Sequence, residues 1–180
     1  MKQFFSSLFI LVAIFFGLIQ AAALPSPPNS IMTLAERDNF LAERATITRL
    51  INVSGEMRIR DDEVIRDRFF TRTTTFPGFH VSTLVPTERR TWVVKVGGEI
   101  RVEVEITFNL RPADQSVKVD YNVKLFEGVT EKTNDLDGAR TGSAVVLKNV
   151  NRAISFKVKN TAESSDDYAD IVLHVFNGDA

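Results

Sequence analysis

Glu99–Phe108, EIRVEVEITF, decides the fold. Ile100, Val102, Val104, Ile106 and Phe108 fall on one face of an extended chain. Glu99, Arg101, Glu103, Glu105 and Thr107 fall on the other. A period of two, with an apolar and a charged face, is the signature of a strand buried on one side and wet on the other. Ser116–Phe126 repeats it: Val117, Val119, Tyr121, Val123 and Leu125 alternate with Lys118, Asp120, Asn122 and Lys124. So does Ala153–Asn160, through Ile154, Phe156 and Val158.

Outward from these, Phe79–Val85, Thr91–Val96, Ala144–Lys148 and Tyr168–Phe176 read as further strands. Ile47, Arg49, Ile51 and Val53 alternate with Thr46, Thr48, Leu50 and Asn52, an imperfect strand because Arg49 and Leu50 each sit on the wrong face. Asp61–Phe70 reads as one or two helical turns or as an irregular strand. Gly97-Gly98 is a two-residue hairpin signal. Arg111-Pro112 and Asn149–Asn151 are breakers. The expectation is an all-β antiparallel sandwich, immunoglobulin-like or jelly-roll, of about 7–9 strands over residues 46–180.

The opening of the chain is of another kind. Residues 1–23, MKQFFSSLFILVAIFFGLIQAAA, carry Lys2, an apolar run over Leu8–Ile19, and Ala21 and Ala23 as an A-x-A cleavage site. That is the pattern of a secretory signal peptide, and it implies an extracellular protein. The run is short for a spanning helix and is followed closely by Pro25, Pro27 and Pro28. Residues 24–45 form a proline-rich linker and then a short helix, an extended arm or a pro-segment. There Leu-Ala-Glu-Arg occurs twice, and Thr33 with Glu36 fits a capping box.

Composition narrows the function classes. The sequence has no cysteine, which excludes disulfide-stapled folds, Cys-ligated zinc and thiol chemistry. Net charge is −1, and −2 once Lys2 leaves with the signal. No bulk attraction to nucleic acid follows. No second apolar run has spanning length, so no transmembrane anchor is expected. Oligomeric state is left open.

In an antiparallel sandwich successive connections alternate between two ends. If Gly97-Gly98 lies at end one, so do Glu127–Gly142 and Thr161–Asp167. End one then gathers Glu127, Glu131, Asp135, Asp137, Glu163, Asp166 and Asp167. Two readings compete. In one, Glu131, Asp135, Asp137, Asp166 and Asp167 hold calcium, a cation that takes 6–8 oxygens, and Asn134–Gly138 offers donors at alternate positions before a glycine. In the other they form a solubilising rim with an Asp-Gly turn, the commoner fate of acidic loops. End two gathers Arg89, Arg90, Arg111 and Arg152, an anion or partner patch or else ordinary surface arginines.

Catalysis finds little support. His80 and His174 are the only histidines, and no nucleophile elbow, zinc-protease helix or phosphate loop is present. Trp92 shares a face with Val94 and Val96 and reads as core, whereas alternation puts Phe126 outward. Phe69, Phe70, Phe76 and Phe79 read as core rather than ligand platform. Asn52-Val53-Ser54 is the only N-x-S/T sequon, a candidate glycosylation site. The expected function is a non-catalytic extracellular binding protein acting through its end loops on a glycan or protein. The alternatives are a carboxylate-dependent hydrolase and a structural surface protein.

Overall fold

The computed structural model describes residues 46–62, 67–130, 132–161 and 166–180. The signal peptide expected over residues 1–23, the helix or arm expected over residues 24–45, and Glu131 and Glu163 of the acidic end lie outside the described residues.

Among the described residues, eight strands make two antiparallel sheets. They are β1 (Thr48–Asp61), β2 (Arg68–Ser82), β3 (Thr87–Val96), β4 (Ile100–Arg111), β5 (Ser116–Phe126), β6 (Leu136–Val146), β7 (Asn151–Lys159) and β8 (Tyr168–Asp179). Sheet A runs β2-β1-β8-β7 and sheet B runs β3-β4-β5-β6. The expected sandwich is there. Its connections follow chain order around both sheets, and β8 returns to pair with β1. The path is a meander, without the crossed Greek-key connections of immunoglobulin domains or jelly rolls.

Every apolar position of the Glu99–Phe108 alternation is fully buried, as are Val117, Val119, Val123 and Leu125 on β5. Tyr121, half-buried, stacks on Phe156 across the sandwich with ring centroids 4.1 Å apart. Trp92 is buried and packs over Gly55, where a Cβ would lie 2.9 Å from its ring.

Several boundaries differ from expectation for identifiable reasons. The Asp61–Phe70 segment gives the end of β1 and the start of β2, where Arg60 pairs with Phe69, so the helical option is set aside for its described residues. The hairpin at Gly97-Gly98 has three residues, since Val96 pairs with Ile100, and both glycines have positive φ. Strand β6 starts at Leu136, so Asp137 and Gly138 lie in a strand rather than a loop. Gly138 is needed for packing: the Lys159 carbonyl of β7 occupies the place a Cβ would take. Phe126 is 8% exposed rather than outward. Register slips between Leu125 and Phe126, which breaks the alternation there, and Arg101 lies 4.2 Å from the Phe126 ring centre.

Candidate functional site

The alternating directions of the strands place the described residues 62, 67, 97–99, 127–130, 132–135, 160–161 and 166–167 at end one, as strand parity predicts. Asp137 and Asp167 both turn inward there, at 5% and 1% exposure. They meet Glu127, whose carboxyl faces that of Asp167 within hydrogen-bond reach. Asp137 accepts the Glu127 backbone N–H at 2.6 Å. Asp167 accepts the Asp62 N–H. Asn160 donates to the Glu127 carboxylate at 2.8 Å. The backbone continues the lacing: Thr161 N–H donates to the Asp137 carbonyl at 2.7 Å and Asn160 N–H to the Asp167 carbonyl at 2.9 Å.

Burial and the facing Asp167 push the Glu127 pKa up to about 7, against the pull of Asn160. Burial likewise raises Asp137, against the Glu127 N–H it accepts. Neighbouring carboxyls at this range resist ionising together, which favours the protonated form of Glu127.

Of the residues expected to hold calcium, Asp137 and Asp167 come together. Asp135 is exposed. Asp166 is exposed and lies 3.5 Å from Arg60. One carboxylate oxygen of each inward pair member, Asp137 and Asp167, is engaged by a backbone amide, and among the described residues no group of three His, Cys, Asp or Glu side chains is arranged to hold a metal.

The four arginines of the expected anion patch take separate neighbours. Arg89 is on β3, not in a loop, and lies 3.4 Å from Glu105. Arg90 pairs with Glu88 and covers the Phe79 ring at 4.3 Å. Arg111 ends β4 beside Asp114, and Arg152 donates to the Val145 carbonyl.

End two is organised instead by Arg49, which is 1% exposed. Its guanidinium donates to the Asn177 side chain at 2.9 Å, the Asn177 carbonyl at 2.9 Å and Asn149 at 2.7 Å, and pairs with Asp179. Asn177, fully buried, donates in turn to the Gln115 and Val146 carbonyls. Gln115 and Asn149 both adopt positive φ, so this network holds two turns in the left-handed region. The signal was present in sequence: Arg49 shares the inward register of Ile47, Ile51 and Val53, and a base there requires internal acceptors.

The outer face of sheet A near end one carries a cleft of about 330 Å³ lined by Arg58, Ile59, Phe69, Phe70, Thr71, Tyr168 and Asp170. Register builds it. On β1, Arg60 has Phe69 on one side and Tyr168 on the other; Arg58 has Thr71 and Asp170. Phe69, expected as core, is 69% exposed. Lys157 orders the opposite wall, 3.1 Å from Asp170 and 3.8 Å from the Tyr168 ring centre. The chemistry offered is two aromatic rings and, in the next row along β1, the Arg58 guanidinium, 3.3 Å from Glu56, and the Asp170 carboxylate held by Lys157.

A second, shallower groove of about 430 Å³ crosses the outer face of sheet B, over Thr107, Asp120, Asn122, Thr141 and Ser143. It is polar, with Asn109 and Lys118 already holding Asp120. Compared with known proteins, the chain matches no family model and no curated sequence.

Proposed function

We propose that this is a secreted, non-catalytic binding protein that takes an extracellular glycan at the end-one cleft of sheet A. The observation that carries the reading is the grouping of exposed Phe69 and half-buried Tyr168 with Arg58 and Asp170 around one cleft. Sugar rings present an apolar C–H face and hydroxyls in one plane. An aromatic ring serves the first, and the Asp170 carboxylate and the Arg58 guanidinium, each acting by itself, serve the second. Secretion is supported by the first 23 residues.

The hydrolase reading has less support. Paired glycosidase carboxyls stand about 5–9.5 Å apart to admit a sugar or a water. Glu127 and Asp167 are in mutual hydrogen-bond reach, and Asp137 and Asp167 spend oxygens on backbone amides.

The test is an oligosaccharide array followed by titration calorimetry. A saccharide should bind wild type, and Phe69→Ala or Asp170→Ala should weaken it by roughly tenfold, the worth of one stacking or charge-assisted contact. Binding untouched by both variants removes the cleft from the function. Capture of a protein through the cleft, with no saccharide bound, replaces the ligand class.

A further inference from the structure

We infer that Asn52 carries an N-linked glycan whose first sugar seats on Phe176, on the outer face of sheet A. The inference rests on the secretion reading above, since the modification belongs to the secretory pathway. Asn52-Val53-Ser54 supplies the acceptor sequon, and a strand's period of two puts Ser54 on the same face as Asn52.

The structure adds what the motif alone lacks. Asn52 lies within an interior strand, yet it is exposed. Alternation turns it to the face opposite buried Ile51 and Val53, and a register slip on one side clears the space beside it. Ile51 pairs with Phe79 and Val53 with Phe76, so Pro77 and Gly78 together oppose Asn52. A bulge of this kind leaves an extra residue out of the ladder and re-aims its neighbours. Gly78 brings no side chain to the place where one would press on Asn52: a Cβ there would lie 2.9 Å from the Asn52 side-chain oxygen. The wall that β2 would present is therefore notched.

On the other side the direct cross-strand partner is Phe176, 38% exposed. A cleft of about 230 Å³ extends over this part of the face, bordered by Asn52, Thr75, His174 and Phe176. Directly paired residues hold their Cβ atoms about 4.5–5.5 Å apart. A pyranose on the Asn52 amide then lies within reach of the neighbouring ring, its C–H face on an aromatic surface that otherwise meets water.

The transfer balances without a redox partner. The donor is a lipid-pyrophosphate-linked oligosaccharide. Its anomeric carbon–oxygen bond to phosphate breaks, a bond from that carbon to Asn52 Nδ2 forms, the amide nitrogen gives up one proton, and the lipid pyrophosphate departs.

The experiment expresses the full chain in a eukaryotic secreting cell, once with its own first 23 residues and once behind a heterologous leader. One glycan is expected, seen as a gel shift that peptide-N-glycosidase reverses and that both Asn52→Gln and Ser54→Ala abolish. Enzymatic removal from folded wild type should lower Tm by roughly 2–4 °C, the scale of one stacking contact in a domain of this size. The same removal should leave the Tm of Phe176→Ala unchanged. An unshifted band from the heterologous leader overturns the site. Equal Tm before and after removal overturns the seat on Phe176. A shift seen only behind the heterologous leader upholds the site and overturns secretion by the native leader.

Discussion

The two ends of the sandwich bury opposite charges. End two buries Arg49 and surrounds it with the oxygens of Asn149, Asn177 and Asp179. End one buries Asp137 and Asp167 against Glu127. A guanidinium stays charged at any pH a protein survives, so its burial is tolerable only with permanent acceptors. A carboxyl has another recourse: it takes up a proton. End two is thus a fixed lock, and end one a joint whose strength depends on solution conditions.

The largest expected effect comes from breaking the lock. Arg49→Ala leaves the buried Asn177 side-chain oxygen without its donor and leaves Asp179 to Asn149 and Lys148 alone. Removing one member of a buried charged network costs about 3–5 kcal/mol, readable as a fall in the urea midpoint. Arg49→Lys keeps the charge without the fork and should recover only part of the loss. A cost below about 1 kcal/mol would mean that the network behaves as a surface ion pair, and that the ends do not differ in this way.

Next comes the close approach at end one. Gly138→Ala pushes a methyl group into the Lys159 carbonyl and should cost about 1–3 kcal/mol by the same measurement, since backbone cannot swing aside as a flexible side chain does. An unchanged midpoint would show that β6 and β7 part there at no cost.

The pH response sharpens the comparison further. The folded pKa of Glu127, about 7, is above its unfolded value. The native state therefore holds more protons than the unfolded one between roughly pH 4.5 and 7. End one's stability is full below that window and is lost as pH rises through it. After discounting for solvent around a half-exposed group, the loss is on the order of 1–2 kcal/mol. Asp137, also raised, acts in the same direction. Asp179 at end two is held low by Asn149 and Arg49, so its contribution is present above the usual carboxylate range and lost as pH falls through its lowered pKa. Urea midpoints from pH 4 to 8 should decline across the upper window, and Glu127→Gln should flatten the decline. A wild-type profile that is already flat would remove the titrating joint.

The smallest effect expected is from calcium. With one oxygen each of Asp137 and Asp167 on backbone amides and no metal-holding group among the described residues, millimolar calcium against chelator should leave Tm unchanged. A rise would make end one a cation site and return Asp135 to the argument.

Sequence periodicity reached the sandwich because β4 and β5 bury one face and wet the other. Strand parity reached the meeting of Glu127, Asp137 and Asp167 because direction alternates whichever sheet a strand joins. Parity carries no information about side-chain direction, so the oxygens' engagement with the Glu127 and Asp62 amides was not legible. Arg49 looked like an error in its strand because pattern reading scores a charge in an apolar register as a fault. Its acceptors on Asn177 and Asp179 are far away in sequence. The Phe69–Tyr168 cleft depends on the pairing of β1 with both β2 and β8, which local alternation does not determine.

The pairing of β1 with β8 also sets a timetable. Arg49 and Asp179 are 130 positions apart. The hairpins of sheet B close between near neighbours, but sheet A is incomplete until Tyr168–Asp179 has been made. The entropy of so wide a loop grows only logarithmically and costs little extra stability. It costs time instead, because distant partners must search for each other. Until then the flank of β1 that will receive β8 is an open template for strands of other chains. Trp92 reports when the wait ends, since it stands on β3 and packs over Gly55 of β1. Its stopped-flow fluorescence should change on the millisecond-to-second scale of all-β folds; a microsecond change would mean the two sheets dock before the sheet that holds β1 is complete.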